Sequence, residues 1–186
     1  MCYCARMLFH PTKIAGVFEI EPELKQDERG YFARVFGEDE FQKQGIDFRV
    51  RQANRSFNKT KGTVRGMHFQ KPPKWEAKLM MPLTGSFYVI VADLRPESST
   101  FKQWVGIELS AEKKRMLLAP VGCANGFQTL ENNSEMLYFM SEFYLADHAS
   151  GISYQDPQFQ FVWPLGEPTV ISPKDAALPN FSPEML

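Results

Sequence analysis

Lys78-Leu79-Met80-Met81-Pro82-Leu83-Thr84-Gly85-Ser86-Phe87-Tyr88-Val89-Ile90-Val91-Ala92-Asp93-Leu94 contains two apolar runs, residues 78–83 and 87–94, parted by a short polar break. Each run has the length of a strand and neither has a helical period, so the stretch predicts two consecutive β-strands. The same grain continues on both sides. From about residue 48 to 145 the chain is a series of short apolar or alternating runs, which predict strands at 50–54, 63–70, 103–109, 115–119, 126–130 and 135–144. Pro120-Val121-Gly122 and Glu131-Asn132-Asn133-Ser134 punctuate them. Many short strands at this spacing indicate a sandwich or barrel, and a jelly roll fits best.

Nearer the N-terminus, residues 17–21 read as a first strand, and Asp27-Glu28-Arg29-Gly30-Tyr31-Phe32 as a polar turn with a return strand. Residues 38–44 suit a helix, with acids crowding its first turn and Gly45 placed to end it. The chain is expected to form one domain over residues 1–186, with an N-terminal arm over about 1–16. Residues 146–186, rich in Pro and polar groups, are expected to wrap the barrel as loops and turns. No internal repeat or low-complexity segment is visible.

Composition narrows the function classes. The 186 residues are 44% hydrophobic and 23% charged, which is ordinary for a packed globular chain. A net charge of −1 argues against a nucleic-acid partner, which calls for a basic stripe. No apolar run is long enough to span a membrane. The first nine residues lack the pattern of a secretory signal, and Met7 is a second candidate start. With Cys2, Cys4 and Cys123 making an odd count, the expectation is reduced thiols and a cytoplasmic location. Cys2 and Cys4 with His10 could form a metal set, but a frayed terminus is the simpler reading. Cys123, among small residues, is read as buried filler.

Of the three histidines, 10, 68 and 148, only His68 sits inside a strand-like run, Val64-Arg65-Gly66-Met67-His68-Phe69-Gln70. Imidazole is the side chain suited to moving a proton near neutrality. Strict alternation puts Arg65 and His68 on opposite faces, unless Gly66 hosts a bulge that resets the register. In residues 135–144, Met136, Tyr138, Met140, Glu142 and Tyr144 share one face, a half-polar set that suits a ligand cavity or an ordinary core. Lys78 reads either as a solvated strand end or as a cation in a cavity, where low dielectric strengthens its pull on an oxyanion. Asp156, before Pro157, either bonds its own backbone or holds the tautomer of a histidine. Arg29, Arg65, Gln52 and Asn54 are polar groups on or beside strands, and arginine's planar fork suits phosphate. With no His-x-His pair, no metal site is expected, and the P-loop, Gly-x-Gly-x-x-Gly and Gly-x-Ser-x-Gly patterns are missing.

Taken together, these stretches resemble the dTDP-4-dehydrorhamnose 3,5-epimerase family, cupin-type proteins that act on nucleotide-activated sugars. The landmarks are 27–32, 64–70, Glu76-Ala77-Lys78-Leu79, Ser99-Thr100-Phe101-Lys102-Gln103-Trp104, Leu109-Ser110-Ala111-Glu112, Gly126-Phe127-Gln128-Thr129-Leu130, and Asp156 followed by Trp163-Pro164. The resemblance implies an all-β double-stranded β-helix (jelly roll, cupin-like) with a few short helices. It implies a homodimer with exchanged N-terminal strands and no cofactor. It further implies epimerisation at C3 and/or C5 of a dTDP-linked 4-keto-6-deoxy sugar through an enolate. In that reading His68, oriented by Asp156, is the base, Lys78 stabilises the enolate, and Tyr138 returns a proton from the opposite face. The substrate-binding set is Arg29, Phe32, Gln52 and Asn54, together with Arg65, Asn125, Glu142 and Tyr144.

The chain also departs from the family, which usually has His at Asn125, Arg at Met81 and Asp at Val89. These changes point to an altered substrate or to epimerisation at one carbon only. A ketoisomerase on another nucleotide sugar, or a binder without activity, are the alternatives.

Overall fold

The computed structural model describes residues 6–186, so Cys2 and Cys4 lie outside the described residues. In chain order the strands are β1 (Met7–Pro11), β2 (Phe18–Pro22), β3 (Lys25–Asp27), β4 (Gly30–Phe32), β5 (Gln52–Asn58), β6 (Thr63–Gln70) and β7 (Lys78–Thr84). They continue as β8 (Ser86–Asp93), β9 (Trp104–Ser110), β10 (Met116–Ala119), β11 (Cys123–Thr129), β12 (Ser134–Met140), β13 (Ala149–Gly151) and β14 (Val170–Ile171). Helix α1 covers Glu38–Lys43 and α2 is a single turn, Pro173–Ala176. One sheet runs β1-β2-β10-β7-β12-β5, a second runs β13-β6-β11-β8-β9, and β3-β4 is a separate hairpin. The two large sheets face each other as the walls of a jelly roll.

The side chains of β7 and β8 explain why these two strands set the architecture. On β7, Met80 faces the space between the sheets, whereas Leu79 and Met81 face a cluster on the outer side formed with Phe41, Phe48 and Met116. On β8, Phe87, Val89 and Val91 point between the sheets, while Ile90 and Ala92, with Leu94 just beyond, pack outward against Phe159, Trp163 and Phe181 of the tail. Both faces of each strand are therefore covered, and that is why they read as near-continuous apolar runs. The tail covers the second sheet and returns twice to β6, with β13 pairing antiparallel and β14 parallel. The N-terminal strand β1, expected in an exchanged arm, pairs in register with β2 of its own chain. Cys123 is buried against the inter-sheet core, and burial pushes its thiol up to about 12, which makes it an inert thiol rather than a nucleophile. Among the described residues no helix is long and apolar enough to cross a membrane.

Candidate active site

The inter-sheet space is packed solid at one end and opens at the other into a cavity with two lobes of about 220 and 140 Å³. His68, Lys78 and Tyr138 line both lobes. His68 comes from β6 in the second sheet, and Lys78 and Tyr138 come from β7 and β12 in the first. The imidazole and the phenol therefore stand on opposite walls, which follows from sheet topology rather than from any single turn.

Gly66 brings Arg65 and His68 to the same cavity. Val64, Met67 and Phe69 face outward into the tail-side cluster, so the inward positions are 65 and 68, one residue out of step with plain alternation. Opposite them β11 pairs Phe127 with Arg65 and Asn125 with His68, leaving one intervening residue on β11 against two on β6, which is the bulge that Gly66 could host. Glycine is required here. Its φ is +116°, and a Cβ would come within 2.6 Å of the Gly126 Cα.

The carboxylate beside His68 is Asp175, not Asp156. Asp175 Oδ1 lies 2.8 Å from His68 Nε2, and Oδ2 accepts from the Gly66 amide at 3.2 Å. Ser172 caps the one-turn α2 by accepting from the Asp175 amide at 3.0 Å, which fixes the aspartate's approach. Burial pushes the Asp175 carboxyl up, but the His68 hydrogen bond and charge, the Gly66 N–H and the Arg65 charge outweigh it and hold the group below the usual aspartate range. An ionised carboxylate only accepts, so Nε2 carries the ring proton and Nδ1 is left as the basic nitrogen. Asp156, fully buried, instead accepts from the amides of Gln158 at 2.8 Å and Phe181 at 2.5 Å, pinning the tail. Its sequence context before proline signalled such a local turn role.

Lys78 is 9% exposed and pairs with Glu76, 6% exposed, at 2.7 Å. The cation is in the cavity, so the strand-cap reading of Lys78 fails. Tyr138 packs with Met136 and Met140 on the inward face of β12, as alternation predicted. Burial raises its phenol, and Arg65 and Asn54 oppose this while Glu76 adds to it, so the group stays protonated at neutral pH. Asn54 lines the cavity and Gln52 stands beside it, its amide donating to Asn54 Oδ1 at 3.2 Å. Arg65 lines the second lobe, steadied by Asn58 at 2.8 Å. Asn125 lines that lobe too and donates to the His68 carbonyl at 3.2 Å.

Three expected binding residues lie elsewhere. Strand β12 ends at Met140, so alternation stops before Glu142, which pairs with Lys74 at 3.3 Å and accepts from the Phe143 amide. Tyr144 still reaches the cavity, from a loop whose amide donates to Gln52. Arg29 and Phe32 belong to the β3-β4 hairpin, where Arg29 is 76% exposed in its side chain and pairs with Asp27. They line a separate surface depression. Of the three departures from the family, Met81 faces the outer cluster, opposite Lys78, and does not touch the cavity. Val89 lies in the inter-sheet core with Phe127 and Met136, which do line the second lobe.

A jelly roll with a histidine–aspartate pair on one wall and a lysine and a neutral tyrosine on the other is a cupin-type protein equipped for acid–base chemistry. The chain belongs to the dTDP-4-dehydrorhamnose 3,5-epimerase family, whose model matches residues 11–183. The enzyme of that name from Methanothermobacter thermautotrophicus is 38% identical over 173 residues, covering 92% of each chain. A crystal structure of the Bacillus anthracis enzyme with TDP and PPi bound superposes with a TM-score of 0.90 at 38% identity, covering 94% of this chain and 99% of that one. The dTDP-6-deoxy-D-glucose-3,5-epimerase of Legionella pneumophila in complex with dTDP-4-keto-L-rhamnose gives a TM-score of 0.86 at 36% identity, with 95% and 100% covered.

Proposed function

We propose that the protein epimerises a dTDP-linked 4-keto-6-deoxy sugar at C3, C5 or both through an enolate, without a cofactor, in the cytoplasm. His68, held by Asp175, removes the proton α to the ketone, Lys78 faces the developing oxyanion, and Tyr138 returns a proton from the opposite wall. Arg65, Asn54 and Gln52, with Asn125 and Tyr144, hold the nucleotide diphosphate and sugar. The observation that carries the reading is the confrontation of a carboxylate-oriented imidazole and a neutral phenol across one cavity containing a buried ammonium. A C–H next to a ketone yields to imidazole only when the enolate is stabilised, and base, cation and opposed acid are the minimum set for inversion. The dTDP-4-keto-L-rhamnose bound in the Legionella structure and the TDP bound in the Bacillus structure support the substrate class. Incubated in deuterium oxide with a dTDP-4-keto-6-deoxy sugar, the protein is expected to incorporate deuterium at C3 or C5. Absence of exchange with dTDP-, CDP- and GDP-linked 4-keto sugars alike defeats the reading.

The same reading includes a homodimer. The β3-β4 hairpin carries exposed Arg29, Tyr31 and Phe32 on a depression separate from the chain's own cavity, and in this reading it reaches a second copy. Arg29 and Phe32 then serve the partner's site. Co-expressing an Arg29→Ala chain with a His68→Ala chain is expected to give more activity than either variant alone, because one site of the mixed dimer is intact. A monomer in sedimentation, or no gain on mixing, counts against this.

A further inference from the structure

Among the described residues, two buried side-chain atoms have no hydrogen-bond partner, Ser56 Oγ and Glu76 Oε2, and both belong to residues that line the cavity. Glu76 is the more telling. It sits just before β7, two residues from Lys78, and its Oε1 is taken by the Lys78 ammonium at 2.7 Å. Its other oxygen is buried and unmet, which is an expensive state for a carboxylate unless a donor arrives with a ligand. An ionised carboxylate only accepts, so the missing partner is a donor. Lys78 is ion-paired with Glu76, and an ammonium carries three N–H donors, enough to serve a further acceptor. The pair therefore presents an acceptor and a donor side by side, in the cavity that His68 and Tyr138 also line.

We propose that Glu76 is a specificity-determining residue that reads an α-hydroxy ketone: its free Oε2 accepts from the hydroxyl on the carbon next to the carbonyl held by Lys78. This rests on the epimerase reading and names the part of the sugar that the pair selects. A carbonyl with a vicinal hydroxyl offers an acceptor and a donor on adjacent carbons, the complement of the Lys78–Glu76 pair. Engaging the hydroxyl at Glu76 keeps it from bonding internally to the ketone, so the carbonyl oxygen stays available to Lys78. It also fixes the rotation of the ring, and with it which α-hydrogen meets His68.

The test compares the 4-keto sugar nucleotide with its analogue in which that hydroxyl is replaced by hydrogen, using deuterium exchange in the wild type, Glu76→Gln and Glu76→Leu. A hydrogen bond to a charged acceptor corresponds to about 10–100-fold, so the wild type is expected to prefer the hydroxylated substrate in kcat/KM by that factor. Glu76→Leu is expected to bring the ratio near one, and Glu76→Gln, which keeps an acceptor, to fall between. A wild-type ratio near one overturns the proposal without recourse to any variant. An equal loss on both substrates in Glu76→Leu also overturns it, because Glu76 would then only hold Lys78 in place. A wild type that exchanges neither ketone is the distinct result that removes the epimerase reading and this assignment with it.

Discussion

Asp175→Asn is expected to lower kcat by about 10²–10⁴-fold while leaving the fold intact. The aspartate does no proton transfer itself. Its Oδ1 accepts a hydrogen bond from Nε2–H, with the two atoms 2.8 Å apart, and so leaves Nδ1 as the basic nitrogen, whereas an amide in its place can donate to Nε2 and favour the wrong tautomer. Asp156→Ala provides the contrast. It strips the acceptor from the buried Phe181 amide, which costs about 1–3 kcal/mol, and from the more exposed Gln158 amide, so the melting temperature falls while the reaction per folded molecule is kept. If Asp156→Ala abolished exchange at unchanged stability and Asp175→Asn did not, the assignment of the pair would be wrong. The pH behaviour follows from the sign of the shift. Asp175 is held below the ordinary aspartate value of 3.8, so the stability its ionised form adds is complete above that pH and is lost as pH falls through the lower folded value. The stability gap between wild type and Asp175→Asn is therefore expected to be full at neutral pH and to close in strong acid, as read from denaturant midpoints.

That contrast marks the boundary of what the sequence carries. Strand content was legible because β6, β7 and β8 bury both faces or alternate cleanly, and the 64–70 and 78–94 runs were placed within a residue or so. The bulge was legible too, since a glycine between two chemically useful residues of wrong parity has few other purposes. Asp175 carries only a local signal: Ser172, then Pro173, then an acid at the third helical position is a helix start. Nothing in that signal says that the turn lands on Gly66 and His68, because 107 residues separate the partners and only the wrapping of the tail joins them. Met81 fails for the opposite reason. Its position three residues after Lys78 looks close in sequence, yet the pleat puts it on the outer face, so a change of charge there leaves the cavity untouched. Glu76 was within reach by the same parity rule, two residues before Lys78 and hence on its side.

Tyr138→Phe is expected to separate exchange from inversion. The base side of the reaction, His68, Asp175 and Lys78, is unchanged by the loss of one phenolic oxygen, so the enolate still forms and deuterium still enters from solvent. Return of the proton from the far wall is what fails: on β12 Phe139 faces the outer cluster and Met136 and Met140 carry no acid, and on β7 Lys78 is held by Glu76 to face the oxyanion. Reprotonation then comes from His68 on the face it left, which restores the starting configuration with label. Net epimerisation is expected to drop by about 10²–10⁴-fold, the usual contribution of a positioned acid, while wash-in of deuterium falls far less. Proton NMR of the recovered sugar distinguishes the two, reading isotope content and ring coupling on one sample. Equal loss of exchange and inversion would place Tyr138 on the enolisation step, as an oxyanion donor beside Lys78, and the two-wall mechanism would have to be abandoned. The neutral phenol is what makes the first outcome the expected one: burial holds its proton in place at the pH where His68 must be free to take one.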